Sequence, residues 1–137
     1  MNQKTMTRSM ASKPLEKAIE NQIKDELKDR GAWFVKIFAG GGMPAGVPDI
    51  LCCYQGYFIG FENKRPGMGR ITRVQKVNLD HITQNGGIGV VPQSLSFAKQ
   101  VLDALDQDDF ETLKELGYQS HGRAEINDDQ WIEECIW

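Results

Sequence analysis

The chain has 137 residues, 40% of them hydrophobic and 26% charged, which suits one globular domain with one core. Its longest apolar runs, such as Ile50 to Tyr54, fall far short of the roughly 20 residues that cross a bilayer, so no membrane helix is expected. Three cysteines, Cys52, Cys53 and Cys135, are odd in number and lack CxxC spacing, which argues against a disulfide framework and a zinc site. They are expected as buried thiols that act as small hydrophobes, with the adjacent pair pointing to opposite faces of a strand.

Residues 1–14 are polar, with Lys4, Arg8 and Lys13 scattered through them and no apolar stretch of a secretory signal. They are expected to form a flexible arm on a cytoplasmic protein. Leu15, Ile19, Ile23 and Leu27 recur every four residues, and Ala18 widens the stripe, so the spacing predicts a helix over 15–30. Gly31 stands where a helix is closed. Trp33 to Phe38 has strand composition, and Trp33, Phe34 and Phe38 are expected in the core. Gly40, Gly41, Gly42, Pro44, Gly46 and Pro48 mark a loop, and no G-K-[ST] follows to make it a phosphate-binding P-loop.

Asp49 to Tyr54 and Tyr57 to Lys64 then form a hairpin about Gln55-Gly56. A second helix is expected over 72–84, with Val74, Val77, Ile82 and His81 turned inward. Ile88 to Val91 is a short strand, and Ser94 or Ser96 can cap a third helix through Leu105. The order is α-β-β-β-α-β-α, an α/β fold with a mixed sheet flanked by helices. Phe110, Leu113 and Leu116 suggest a further short helix, and Trp131 to Trp137 another.

Charge is divided unevenly. Residues 1–102 hold 14 Lys+Arg and 8 Asp+Glu, a net +6, whereas 103–137 hold 2 and 11, a net −9. A basic body attracts a polyanion. The acidic tail is either a solvated face or a cover for that basic surface. Within the body, Lys64, Arg65, Arg70, Arg73 and Lys76 cluster around the loop and helix start that follow the hairpin, suited to gripping phosphates.

The chemistry is concentrated in Gly46-Val47-Pro48-Asp49 and Glu62-Asn63-Lys64. A hairpin brings the start of its first strand and the end of its second to one sheet edge. Asp49 therefore meets Glu62 and Lys64, whose spacing of two sends both side chains to one face. Two carboxylates so close repel, and burying them is costly unless they are paired or bind a metal. A hard cation such as Mg²⁺, with Mn²⁺ as a substitute, resolves this through Asp49, Glu62 and the Asn63 backbone carbonyl. Lys64 then orients the attacking water or stabilises a pentavalent phosphate.

These residues resemble the motif of the PD-(D/E)XK nuclease superfamily and, more narrowly, the VRR-NUC family of phage and bacterial nucleases. The likeness covers about residues 15–105. It implies a restriction-endonuclease-like α-β-β-β-α-β core and a metal-dependent DNA endonuclease, phage-encoded and able to cut branched DNA such as a four-way junction as a homodimer. It also implies a first-helix glutamate, Glu16 in preference to Glu20, as a further acid or metal ligand. By the same resemblance Gln75 reaches the site to orient the acidic groups or water. Asn63 departs from the family's usual small or apolar residue at that place.

The expected organisation is an arm over 1–14, a nuclease domain over 15–105 and an acidic extension over 106–137. Trp131, Ile132, Ile136 and Trp137 are candidates for a dimer interface. The competing reading is a non-catalytic DNA-binding accessory, or a nuclease subunit targeted by a replication or repair partner.

Overall fold

The computed structural model of the chain describes the backbone of residues 2–67, 70–117, 130–131 and 134–137, and the side chains of these from Leu15 onward except Gln130 and Trp131. His121 and Ile132 lie outside the described residues.

Helix α1 spans Asn2–Asp29, so its backbone reaches into the segment expected as an arm. It buries Ile19, Ile23 and Leu27, while Leu15 and Ala18, expected in the stripe, are exposed. Gly31 closes it at φ +74, with its N–H donating to the Lys28 carbonyl and that of Ala32 to Leu27.

Strands β1 (Trp33–Lys36), β2 (Ile50–Tyr54) and β3 (Tyr57–Phe61) form an antiparallel meander. Gln55 and Gly56 both take positive φ, the conformation that matches a tight turn to strand twist. Strand β4 (Arg70–Ile71) leads into helix α2 (Arg73–Gln84), which crosses over so that β5 (Ile88–Val91) lies parallel to β3. Helices α3 (Leu95–Asp106) and α4 (Phe110–Leu116) follow, capped by Ser94 and Asp109. Strand β6 (Gln130–Trp131) pairs with β4, and β7 (Cys135–Ile136) pairs antiparallel with β5. The main sheet runs β1-β2-β3-β5-β7, the mixed α/β sheet with helices on its faces expected from the element order.

Helices α1 and α3 cover one face, packing Ile19, Ile23, Leu27, Val101 and Leu105 against Ile50, Ile59, Phe61 and Val90. On the opposite face α2 covers only the β3–β5 side. Leu79 is its buried residue, in a second cluster with Ile71, Val91, Cys135 and Trp137. Val74, Val77 and His81, expected inward, are exposed, because α2 leaves the β1–β2 half bare. Trp33 and Phe38 are likewise exposed, at 62% and 71%, and Phe34 alone of the three aromatics expected in the core packs against it. Cys53 is exposed while Cys52 and Cys135 are buried, and the Cys52 thiol is pushed up to about 12 by burial.

The last residues correct two expectations. They form strand where a helix was expected, and Trp137 is only 1% exposed, so it serves this chain's own core and is not available to a partner. Its N–H donates to the Gly89 carbonyl and its indole Nε1–H to Asp80. Truncating a buried indole costs about 3–5 kcal/mol. The boundary drawn at 105/106 therefore has sheet hydrogen bonds and core packing across it. Among the described residues no helix is long and apolar enough to cross a membrane.

Candidate active site

The β2–β3 register ends on the pair Ile50↔Phe61, which makes Asp49 and Glu62 the next rung. Backbone pairing continues past it on both sides. Ile37 N–H donates to the Asp49 carbonyl at 2.8 Å, Glu62 N–H to Val90 at 2.8 Å and Lys64 N–H to Pro92 at 2.9 Å. The two carboxylates are thus carried by backbone tied to its neighbours rather than by free loops. Asn63 N–H donates to Asp49 Oδ2 at 2.9 Å and draws the two chain segments together. The chain enters Asp49 through Gly46, at φ +79 and against α2. A Cβ there would lie 2.4 Å from Val74 Cγ1 and 2.7 Å from Val74 backbone carbon, so only glycine fits.

Glu62 is 2% exposed, and its Oε1 is buried without a hydrogen-bond partner. Burial, and then the charge of Asp49, pushes its carboxyl well above the usual range, against the opposing pull of Lys64. Asp49 is also raised, by burial first, with the Asn63 N–H and the Lys36 charge acting the other way. A hydrogen bond between the two carboxyls favours the protonated form of Glu62 as donor and the ionised form of Asp49 as acceptor. Two acids whose charged forms are this disfavoured form a site for a positive charge.

Glu16 and Glu20, one turn apart on α1, have different surroundings. Glu16 is exposed, and its carboxyl is raised by partial burial and then by the charge of Asp49, with Lys64 opposing. Glu20 is buried, which works against ionisation. Hydrogen bonds from Lys17, at 2.8 Å, and from Lys36 outweigh that and hold its carboxyl below the usual range. Glu20 therefore binds lysines, while Glu16 is near enough to Asp49 to feel its charge.

Lys64 Nζ donates to Gln75 Oε1 at 3.1 Å. Gln75 is itself held by a capping box, its Oε1 accepting from Thr72 N–H at 3.0 Å and its own N–H donating to Thr72 Oγ1 at 3.2 Å. The start of α2 is thereby coupled to the lysine. Of the basic residues, Arg70 and Arg73 are exposed and Arg65 half-buried. Lys76 pairs with Asp80 at 3.1 Å, the carboxylate that also holds Trp137.

Lys36 was not singled out from the sequence. It stands in β1 opposite Ile50, pairs with Glu20 and opposes the upward shift of Asp49. A lone charge inside the apolar run WFVKIF was the available signal.

No family model matches the chain, and neither does any curated protein. Among solved structures, the chain is similar to Archaeoglobus fulgidus Hjc, a Holliday junction resolvase from an archaeal hyperthermophile. The TM-score is 0.43 at 18% identity, over 55% of this chain and 64% of that one. The chain thus matches less than two thirds of that resolvase.

Proposed function

We propose that the chain is a metal-dependent DNA nuclease of the PD-(D/E)XK, VRR-NUC kind, acting on branched DNA. The observation that carries the reading is buried Glu62 beside half-buried Asp49, with an orphaned carboxylate oxygen on Glu62. A buried oxygen without a donor is rare in folded proteins and calls for a missing cation or water. Among the described residues no group of three or more ligating side chains gathers. Two carboxylates with the Asn63 carbonyl still suit Mg²⁺, which is bound through one or two carboxylates and keeps several waters. When bound, such a cation neutralises charge on a phosphate and makes a coordinated water more acidic.

The chain's own groups do the rest. Gln75 holds the Lys64 ammonium beside the carboxylates, where it can orient a water towards phosphorus and offset charge on the phosphate oxygens. Arg65, Arg70 and Arg73 supply positive charge for the DNA backbone.

The direct test is cleavage of labelled duplex, single-stranded and four-way-junction DNA with Mg²⁺, Mn²⁺ or EDTA. Metal-dependent cutting should drop about a thousandfold in Lys64→Ala. Binding without cutting under every metal would sink the nuclease reading in favour of a DNA-binding accessory.

The proposed homodimer has support from the bare sheet face. Trp33, Cys53 and Phe58 lie in one cross-strand row, exposed, with Val35 in the next row and Val77 exposed on α2. Exposed apolar side chains gathered on one sheet face suit the centre of an interface, which buries about 800 Å² per partner. A second copy is the occupant proposed, and sedimentation equilibrium checks it. Wild type should be dimeric and Trp33→Glu monomeric; a monomeric wild type at micromolar concentration removes the dimer.

A further inference from the structure

One residue beyond the backbone that pairs with Asp49 stands an aromatic ring that the proposed chemistry does not use. Phe38 is 71% exposed, the highest value among the described large hydrophobic side chains. It is not placed loosely. The preceding residue, Ile37, donates its N–H to the Asp49 carbonyl at 2.8 Å, so the Phe38 backbone is fixed one residue from the rung that holds Asp49. The Lys36 ammonium lies 5.7 Å from the ring centroid, and Glu20 holds that lysine in place. After Ala39 come Gly40, Gly41 and Gly42, where even an added Cβ would meet nothing within 4 Å, so the chain beyond the ring is without side-chain bulk.

A flat apolar ring, with a lysine ammonium 5.7 Å from its centroid and otherwise open to solvent, matches the chemistry of a nucleobase. Bases stack on such rings in single strands regardless of sequence. Within continuous duplex both faces of each base are already stacked on neighbours, and exposing one costs unstacking and unpairing. The ring is thus used at least cost where a base is already unpaired.

We propose that Phe38 is a stacking platform for an unpaired nucleobase next to the phosphate held by Asp49, Glu62 and Lys64. The substrate would then be DNA whose strands part at the cleavage position, such as a fork, flap or junction. This inference rests on the nuclease reading above and names the residue that would contact an unpaired base of such DNA.

The test is binding in EDTA, where nothing is cut, of a DNA fork carrying 2-aminopurine at its first unpaired position. Wild type should change the probe's fluorescence on binding. Phe38→Ala and Phe38→Leu should abolish that change and bind the fork about ten- to a hundredfold more weakly, with plain duplex bound as before. Phe38→Trp should retain both properties. The leucine variant separates stacking from mere apolar contact. An unchanged signal and fork preference in Phe38→Ala overturn the proposal, as does an equal loss on fork and duplex. So does a loss of self-association with DNA binding intact, which would make the ring a protein contact. Cleavage of the same fork by wild type and Lys64→Ala judges the nuclease reading separately. If wild type cuts the fork under no metal, the nuclease reading falls while the fluorescence still decides the stacking.

Discussion

Two buried glutamates at one end of the sheet differ in what surrounds them. Glu20 on α1 is met by Lys17, Lys24 and Lys36, and its carboxyl is held below the usual range. Glu62 beyond β3 meets another acid, keeps an oxygen with no donor, and is raised well above the usual range. Burial opposes ionisation in both. The difference lies in the partners. A carboxylate completed by its own protein holds the fold together, whereas one left incomplete is set up to bind something else.

The largest effect that can break this comparison is on activity. Glu62→Gln should lower metal-dependent cleavage about a thousandfold, because the amide cannot supply the negative oxygen a divalent ion needs. The same variant should be at least as stable as wild type in EDTA, since it removes a disfavoured charge. A variant that loses stability and activity together would make Glu62 a structural residue like Glu20.

The pH dependence sharpens the point. In EDTA the folded chain keeps the Glu62 proton to higher pH than the unfolded chain, whose glutamates ionise near about 4.3. The folded state binds more protons above that pH, so this group's contribution to stability falls as pH rises. Denaturant midpoints measured from acid to neutral pH should show that decline, and Glu62→Gln should flatten it. A slope unchanged by the substitution would remove Glu62 as its source.

Glu20→Gln should act in the opposite sense, lowering stability by about 2 kcal/mol with no rescue by Mg²⁺, because Lys36 loses its counter-charge at a partly buried place. Thermal melts with and without metal test it; a variant rescued by metal would assign Glu20 to the centre instead. The smallest effect concerns Asn63, whose buried amide Nδ2 and Oδ1 have no hydrogen-bond partner. Asn63→Val should raise stability by about 1 kcal/mol and leave cleavage within about twofold, since a buried polar group left unpaired is destabilising. A destabilised variant would point to a partner for that amide.

Much of the local structure was legible in the order of residues. Ser94 was one of two candidates for a helix start, and Gly31 and Gln55-Gly56 announced a helix end and a turn, because caps and turns are satisfied by near neighbours in the chain. The convergence of Asp49, Glu62 and Lys64 followed from hairpin geometry alone, and the structure places them at one sheet end, with Gln75 against Lys64. The start of α1 was not legible. Pro14 favours a helix beginning there, yet the helical backbone runs from Asn2.

Other features depended on contacts far apart in sequence. The resemblance gave Glu16 in preference to Glu20, but that Lys36 would stand beside Glu20 depended on which strand lies opposite that turn. Trp137 looked like a surface anchor in an acidic tail until β7 paired with β5 and carried it against Leu79 and Asp80. Val74 and Val77 carry the periodicity of a buried stripe, but α2 packs over β5 and leaves that flank open. Periodicity and spacing are local, so the sequence alone determined the elements and the carboxylate pair. Burial depends on what arrives from elsewhere in the chain, so only the tertiary packing decided which charges are satisfied, which acid remains incomplete and which aromatics stay exposed.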